Sequence, residues 1–278
     1  MISARVIADS ITPDGVRLTT VEATFNRYIL AEVNTYREWS RNSASSRAVP
    51  VEKVMRQVWS NPATPIHWGR NQRGMQARAE LTGWRRWLAR KLFLAARVPV
   101  LVIVWMLTKL KLHKQVANRL LEPWVWHTAV ISSTNWENMF GQRDHEDAQP
   151  EFRQLARCIR WAIAHSIPKK LEWGEWHLPY IVPEDYVEAA SLPRDEASDW
   201  FPDVVFMSVS RCAAVSYVRQ NERNVRKDIA LSVRLREGRH WSPFEHVAIA
   251  EKDHTRDSNF DAGWKQLRKF YAGEDGRG

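Results

Sequence analysis

Asn34-Thr35-Tyr36-Arg37-Glu38-Trp39-Ser40-Arg41-Asn42-Ser43-Ala44-Ser45-Ser46-Arg47 crowds hydroxyls, amides and arginines into one short segment and lacks the apolar residues that a core element needs. Arginine forks match phosphate oxygens two at a time, and serine hydroxyls with backbone N–H groups complete such a cradle. A solvated Ser/Arg loop has the same composition. Spacing separates the two readings: Arg37, Ser40, Asn42, Ser45 and Arg47 fall in the frame R-x-x-S-x-N-x-x-S-x-R.

That frame resembles the signature of the flavin-dependent thymidylate synthases, R-H-R followed by seven variable residues and Ser. Thr35 and Tyr36 stand where the family has its first Arg and its His, and Ser43 where it often has Glu. Further segments resemble the same family. His240-Trp241-Ser242-Pro243-Phe244-Glu245-His246 is similar to its H-x-T-P-F-E-H segment, and Arg211-Cys212-Ala213-Ala214-Val215-Ser216-Tyr217 to its A-A-R-V-S-F segment. Asn135-Trp136-Glu137-Asn138-Met139-Phe140-Gly141-Gln142-Arg143, followed by Ala148-Gln149, resembles its N-F-L-x-L-R…A-Q helix. In most members the first two of these precede the arginine signature, whereas here they follow it. The order is that of a circular permutation, which chains tolerate when the original termini lie close together at the surface.

Composition fits a globular enzyme without naming one. The 278 residues suffice for a substantial core, and 44% hydrophobic with 26% charged residues is ordinary for a globular protein. Cys158 and Cys212 offer neither a disulfide framework nor metal-ligand spacing, and neither has the local context of a nucleophile. A reducing compartment follows, and the absence of a signal-peptide pattern at Met1-Ile2-Ser3-Ala4-Arg5 predicts the cytoplasm, the host's for a phage protein. The net charge of +9 suits nucleic acid, an acidic membrane surface or phosphorylated small molecules. Much of the excess flanks the apolar run Val98 to Leu107, at Arg85, Arg86, Arg90, Lys91, Arg97, Lys109, Lys111 and Lys114. That run falls short of the roughly 20 residues that cross a bilayer and contains Pro99, so it reads as a buried helix with a basic flank and no membrane partner.

Periodicity predicts an α+β fold: a single compact domain over 1–278, with a mixed or antiparallel sheet flanked by helices. Arg5 to Ala8 and Arg17 to Thr24 alternate as strands about the turn Pro13-Asp14-Gly15. Tyr28 to Glu38 reads as a helix that delivers the arginine signature, and Asn61-Pro62-Ala63-Thr64-Pro65 opens a surface excursion to Met75. Residues 81–121 read as two helices, with Trp84, Trp87, Leu88, Leu92 and Ala95 facing the core. Thr134 and Glu137 form a capping box for the helix carrying Asn138 and Arg143. Glu151 to His165 and Asn221 to Glu237 are amphipathic helices, and Val247 to Ala250 is a short strand. Residues 173–202 lack a sustained period and read as a connection, and 273–278 as a frayed tail.

The resemblance implies a chemistry and a set of residues. Family members make C5 of a pyrimidine nucleotide nucleophilic, take a one-carbon unit from methylenetetrahydrofolate, reduce it with a hydride from FAD and recharge the flavin with NADPH. On this pattern Arg143 stabilises the anionic base, and the alternative for it is a surface pair with Asp144 or Glu146. Thr35, Ser43, Ser45, Ser46, Arg47 and Arg119 hold the nucleotide. Tyr36, Arg37, Ser40, Ser132, Asn138, His240 and Ser242 contact FAD. Family sites are assembled from several subunits of a homotetramer, so an oligomer is expected. Glu32 falls where the family usually has Gln. A carboxylate only accepts hydrogen bonds, which suits the amino group of cytosine better than the carbonyl of uracil. The alternative to a dUMP-to-dTMP enzyme is therefore a flavin-dependent dCMP methylase or hydroxymethylase of the kind a virus uses on its own DNA. A non-enzymatic nucleic-acid-binding protein, suggested by the basic charge and 15 Trp, lacks a recognised motif.

Overall fold

The computed structural model describes residues 1–191, 201–217, 223–256 and 259–271. Strands β1 (Ser3–Ile11) and β2 (Arg17–Asn26) form an antiparallel hairpin, β1 extending past both ends of the expected alternation and β2 past its C-terminal end. Its turn closes through Gly15 N–H donating to the Thr12 carbonyl at 2.9 Å, with Gly15 at φ 86°, which side-chain-bearing residues rarely adopt. With β3 (Ser40–Ser43), β4 (Trp126–Ser133) and β5 (Lys169–Lys170) they make a mixed sheet of order β3-β4-β2-β1-β5, parallel at β1–β5 and antiparallel elsewhere. A smaller antiparallel sheet joins β6 (Trp176–His177), β7 (Ala248–Ala250) and β8 (Trp264–Gln266). The fold is α+β.

The two faces of the large sheet differ because successive strand residues point opposite ways. One face presents Val21, Ala23 and Phe25 of β2 with Ala129 and Ile131 of β4. Helix α7 (Pro150–Ala164) covers it with Phe152, Leu155, Ala156 and Ile159, each fully buried. Phe152, Leu155 and Ile159 each contribute about 1.5–3 kcal/mol of gross hydrophobic stabilisation. The other face buries polar residues as well, notably Thr20 and Ser132, under the small sheet and helix α9 (Asp203–Ala214). Arg211 of α9 turns away from the sheet into a buried ion cluster with Asp185 and Asp228, at 2.5 and 3.0 Å.

Other helices are α1 (Leu30–Val33), α2 (Val51–Ser60), α3 (Gly83–Ala95), α4 (Arg97–Lys109), α5 (Lys114–Ala117), α6 (Glu137–Arg143), α8 (Pro183–Ala190) and α10 (Val225–Glu237). Several expectations are corrected. The helix expected over Tyr28 to Glu38 is only a short 3-10 turn and α1, which stops at Val33. The cap of α6 is not a Thr134–Glu137 box: Glu137 N–H donates to Asn135 Oδ1 at 3.2 Å, while Thr134 Oγ1 accepts from Asp261 N at 3.1 Å. The connection at 173–202 contains β6 and α8, because His177 and the Asp185 side chain find buried partners there; residues 192–200 lie outside the described residues, as do 221–222 and the tail 273–278. The largest correction concerns 81–121. Trp84, Trp87 and Leu92 are 61–69% exposed, and Leu88 37%. The expected core stripe is therefore a surface stripe. Of α4, only Leu101 and Val104 are fully in the core, against α2 and the 3-10 turn at 118–124. Helices α3 and α4 run on as 27 helical residues, Gly83–Lys109, long and apolar enough to cross a membrane by length and composition.

Candidate functional site

The arginine-rich segment is held by its own second arginine. Arg41 NH1 donates to the carbonyls of Val33 at 3.2 Å and Tyr36 at 2.6 Å, which bends the chain after α1 into β3. Tyr36 stacks on Trp39 at 4.7 Å, and Trp39 lies 5.4 Å from Trp136, so the turn is pinned to the start of α6. This leaves Thr35 and Arg37 exposed and buries Tyr36 and Trp39 in the main core, so the segment expected to lack core residues supplies two of them.

Segments far apart in sequence then meet at β3. Asn42 Nδ2 donates to the Cys212 carbonyl at 2.7 Å, and Ser45 N–H donates to the Ser216 carbonyl at 3.1 Å. Ser216 Oγ donates to the Ser43 carbonyl at 3.3 Å, and Ser242 Oγ lies 3.3 Å from both the Arg41 carbonyl and Asn42 Oδ1. Ser40 is fully buried and accepts from Asn259 Nδ2 at 3.1 Å and Gln266 Nε2 at 2.9 Å. The three motif segments that begin at Arg37, Arg211 and His240 thus form one region.

Beneath them runs a buried polar chain across the sheet. Ser10 Oγ bonds His177 Nδ1 at 2.9 Å, and His177 Nε2 bonds Thr20 Oγ1 at 2.8 Å. Thr20 Oγ1 lies 2.6 Å from Ser132 Oγ, which bonds His246 Nδ1 at 2.8 Å. Burial holds both imidazoles far below their ordinary range, at about 3, so they are neutral at neutral pH. Ser132 and His246 are fully buried and serve to lock the motif segments together.

A second chain of contacts leads from α6 into a cleft. Asn138 Oδ1 accepts from Gln142 Nε2 at 3.0 Å, and Gln142 Oε1 accepts from the Tyr36 hydroxyl at 3.1 Å. That hydroxyl accepts from Arg143 Nε at 2.9 Å, and Arg143 NH1 lies 3.7 Å from Glu32 Oε2. The guanidinium also sits 4.8 Å from the Phe152 ring centroid, a cation–π contact that fixes its plane. Arg143 and Glu32 line a cleft of about 1050 Å³, walled by residues 65–69 and 75–78 on one side and by Glu146 to Arg157 on the other. Neither alternative partner, Asp144 or Glu146, is paired with Arg143: Asp144 is taken by Arg157 and Arg160, at 2.8 and 2.9 Å.

Two smaller cavities take other predicted residues. Thr35, Tyr36, Arg37 and Asn138 line one of about 320 Å³. Ser45 and Ser46 line one of about 190 Å³ together with Arg27, Lys53, Asn118 and His127. Burial and the neighbouring Arg27 keep His127 neutral, at about 3. The three cavities share no lining residue. Ser43, Arg47, Arg119, His240 and Ser242 line none of them; all but the half-buried Ser43 are exposed, and Arg119 pairs with Glu122 at 3.7 Å.

No family model matches the sequence, and no curated protein matches it. Solved structures do. The chain is similar to the flavin-dependent thymidylate synthase ThyX from Helicobacter pylori complexed with FAD and dUMP, at 13% identity, over 52% of this chain and 67% of that one, with a TM-score of 0.36. It is also similar to the UMP/dUMP methylase PolB from Streptomyces cacaoi bound with 5-Br UMP, at 11% identity, over 59% of this chain and 89% of that one, with a TM-score of 0.47.

Sequence reasoning missed one pairing and two contributors. Tyr36 is the hydrogen-bond partner of Arg143, a pairing across 107 residues that no local pattern reveals. Asn118, beside the expected Arg119, is the buried residue that ties the carbonyls of Ser46 at 2.7 Å and Val49 at 3.0 Å. The segment 65–78 reads as an excursion but forms the cleft wall, anchored where Ile66 N–H donates to the buried Glu151 Oε1 at 2.9 Å.

Proposed function

We propose that this chain is a flavin-dependent enzyme that methylates C5 of a pyrimidine nucleotide, converting dUMP to dTMP with methylenetetrahydrofolate as carbon donor and NADPH as reductant. The observation that carries this reading is the contact chain Asn138–Gln142–Tyr36–Arg143–Glu32, which links the cavity of Arg37 and Asn138 to the large cleft. Tyr36 and the Phe152 ring hold Arg143 by its Nε and its face, leaving its terminal nitrogens directed at the cleft. A guanidinium fixed beside a pyrimidine stabilises the anion through which C5 becomes nucleophilic, and no covalent protein nucleophile is needed. Cys212 suits no such role, since burial raises its thiol well above the ordinary range.

The residues on the other side fit part of a flavin cofactor. Arg37 and Asn138 bring a guanidinium and an amide to one cavity that Tyr36 also lines, a donor set for pyrophosphate oxygens or polar ring edges. FAD bound there supplies the hydride that turns a C5 methylene into methyl. His240 and Ser242 offer further exposed donors beside β3, with Ser40 and Ser132 supporting that strand from inside. The cavity of about 320 Å³ takes a portion of a dinucleotide, and the phosphate-type residues Ser45 and Ser46 lie in a cavity separate from Arg143. Both facts favour a homotetramer in which one protomer supplies Arg143 and another Ser45, Ser46 and Arg47. The meeting of residues from both ends of the chain at β3 likewise favours the circularly permuted reading.

Incubation with dUMP and dCMP separately, with methylenetetrahydrofolate, NADPH and FAD, followed by mass analysis of the nucleotide, tests the reaction. dTMP from dUMP is the expected product, and an unchanged nucleotide in both arms would exclude the function. The dCMP reading draws on one observation, the Glu32 carboxylate in the same cleft as Arg143. If Glu32 reads a cytosine amino group, Glu32→Gln shifts preference from dCMP toward dUMP. A preference for dUMP unchanged by the substitution assigns Glu32 to holding Arg143 instead.

A further inference from the structure

Helices α3 and α4 carry an exposed apolar stripe whose surroundings define its partner. Ala96 at their join keeps helical dihedrals, φ −58° and ψ −24°, so one helical count runs through both. At 100° per residue, Trp84, Trp87, Leu88, Val98, Val102 and Trp105 fall within about 100° of arc, the width of an amphipathic helix's apolar face. All six are exposed, whereas Phe93 and Val104 point the opposite way into the protein and Leu101 enters it from the edge of the stripe. The stripe is thus the outer face of a helix docked on its inner one through α4 and Phe93.

Charge is concentrated at the same place. Residues 81–121 hold nine Lys and Arg and no Asp or Glu, so this segment accounts for the whole net charge of +9 and the rest of the chain is balanced. Three of these cations lie over the exposed indoles: Arg85 at 5.7 Å from Trp84, Lys91 at 5.8 Å from Trp87 and Lys109 at 5.4 Å from Trp105. Tryptophans with basic side chains reaching past them are the composition of a helix lying in a membrane interface.

We infer that this face docks the protein on an anionic lipid surface, with α3 and α4 in the plane of the interface. Crossing the bilayer is disfavoured on two counts. The helix Gly83–Lys109 is long enough to span, but a crossing would place Arg97 within the hydrocarbon and would strip Leu101 and Val104 from their core contacts. A second copy related by a two-fold axis would set Lys91 and Lys109, the cations within the stripe, against a like-charged face. A nucleic acid would engage the cations but leave the aliphatic stripe wet.

Flotation of the full chain with vesicles decides it. The protein should float with phosphatidylcholine–phosphatidylglycerol vesicles and remain behind with phosphatidylcholine alone, and rising salt should release it. Trp87→Ser/Val102→Ser/Trp105→Ser, and separately Lys91→Glu/Lys109→Glu, should each lower the bound fraction by about tenfold or more with unchanged circular dichroism. Trp87→Phe/Trp105→Phe should retain binding. No flotation with anionic vesicles, or equal binding to neutral ones, overturns the inference. So does a triple-Ser variant that elutes as a smaller species in the absence of lipid, which identifies a second copy as the occupant. Loss in that variant of binding to single-stranded DNA, with vesicle binding intact, overturns it in favour of nucleic acid.

Discussion

The region around β3 and the helix pair α3–α4 are both unusual in sequence, one for polar crowding and the other for apolar length. They behave oppositely in the fold. Around β3, polar groups are largely withdrawn from water, and each demands a partner of particular geometry, so distant segments are forced into register by Asn42, Ser132 and His246. The stripe of α3–α4 makes no such demand. An apolar face is satisfied by any apolar surface, so its sequence declares that something covers it but not whether that is the core, another molecule or a lipid.

The comparison breaks most visibly in stability. Phe152→Ala, which empties the space beneath Arg143 and Tyr36, should cost about 3–5 kcal/mol in denaturant unfolding. Trp105→Ser, a change of similar size on the outer stripe, should stay within about 0.5 kcal/mol. Equal losses would show that the stripe is covered in the free protein.

Arg143→Ala should leave flavin absorbance in the purified protein while reducing turnover by about a hundredfold or more, some 2–4 kcal/mol in the transition state. Retained turnover would remove the arginine from the chemistry.

Acid should loosen the β3 region before anything on the helix pair. His127, His177 and His246 are held neutral at about 3 when folded, while their unfolded values lie near 6.5, so the unfolded state binds more protons between these limits. Stability is complete above about pH 6.5 and falls below it, by up to about 1.4 kcal/mol per pH unit for each histidine. Melting curves from pH 7 to pH 4 should show this slope, and His246→Gln should flatten it.

The smallest effect tests positioning. Tyr36→Phe keeps the ring stack on Trp39 but removes the hydroxyl that holds Arg143 Nε, worth about 1–2 kcal/mol. The loss should appear as a roughly tenfold fall in kcat with little change in melting temperature, the signature of a misaligned guanidinium.

Local pattern was enough for the sheet hairpin, α7, α10 and the short strand β7, because period-2 and 3.6-residue repeats follow from backbone geometry alone. The motif segments stood out through their resemblance to one family, and the convergence of three of them at β3 became visible only in the fold. Sequence also supplied the net charge and its concentration between residues 81 and 121. Tertiary structure alone decided which arginine faces inward, Arg41 and not Arg37, and that Tyr36 meets Arg143. It alone divided Arg143 from Ser45 and Ser46 into separate cavities, and turned the Trp84–Trp105 stripe outward. Each of these depends on contacts between residues tens to hundreds apart, and periodicity within one helix fixes which side chains share a face but not what that face meets.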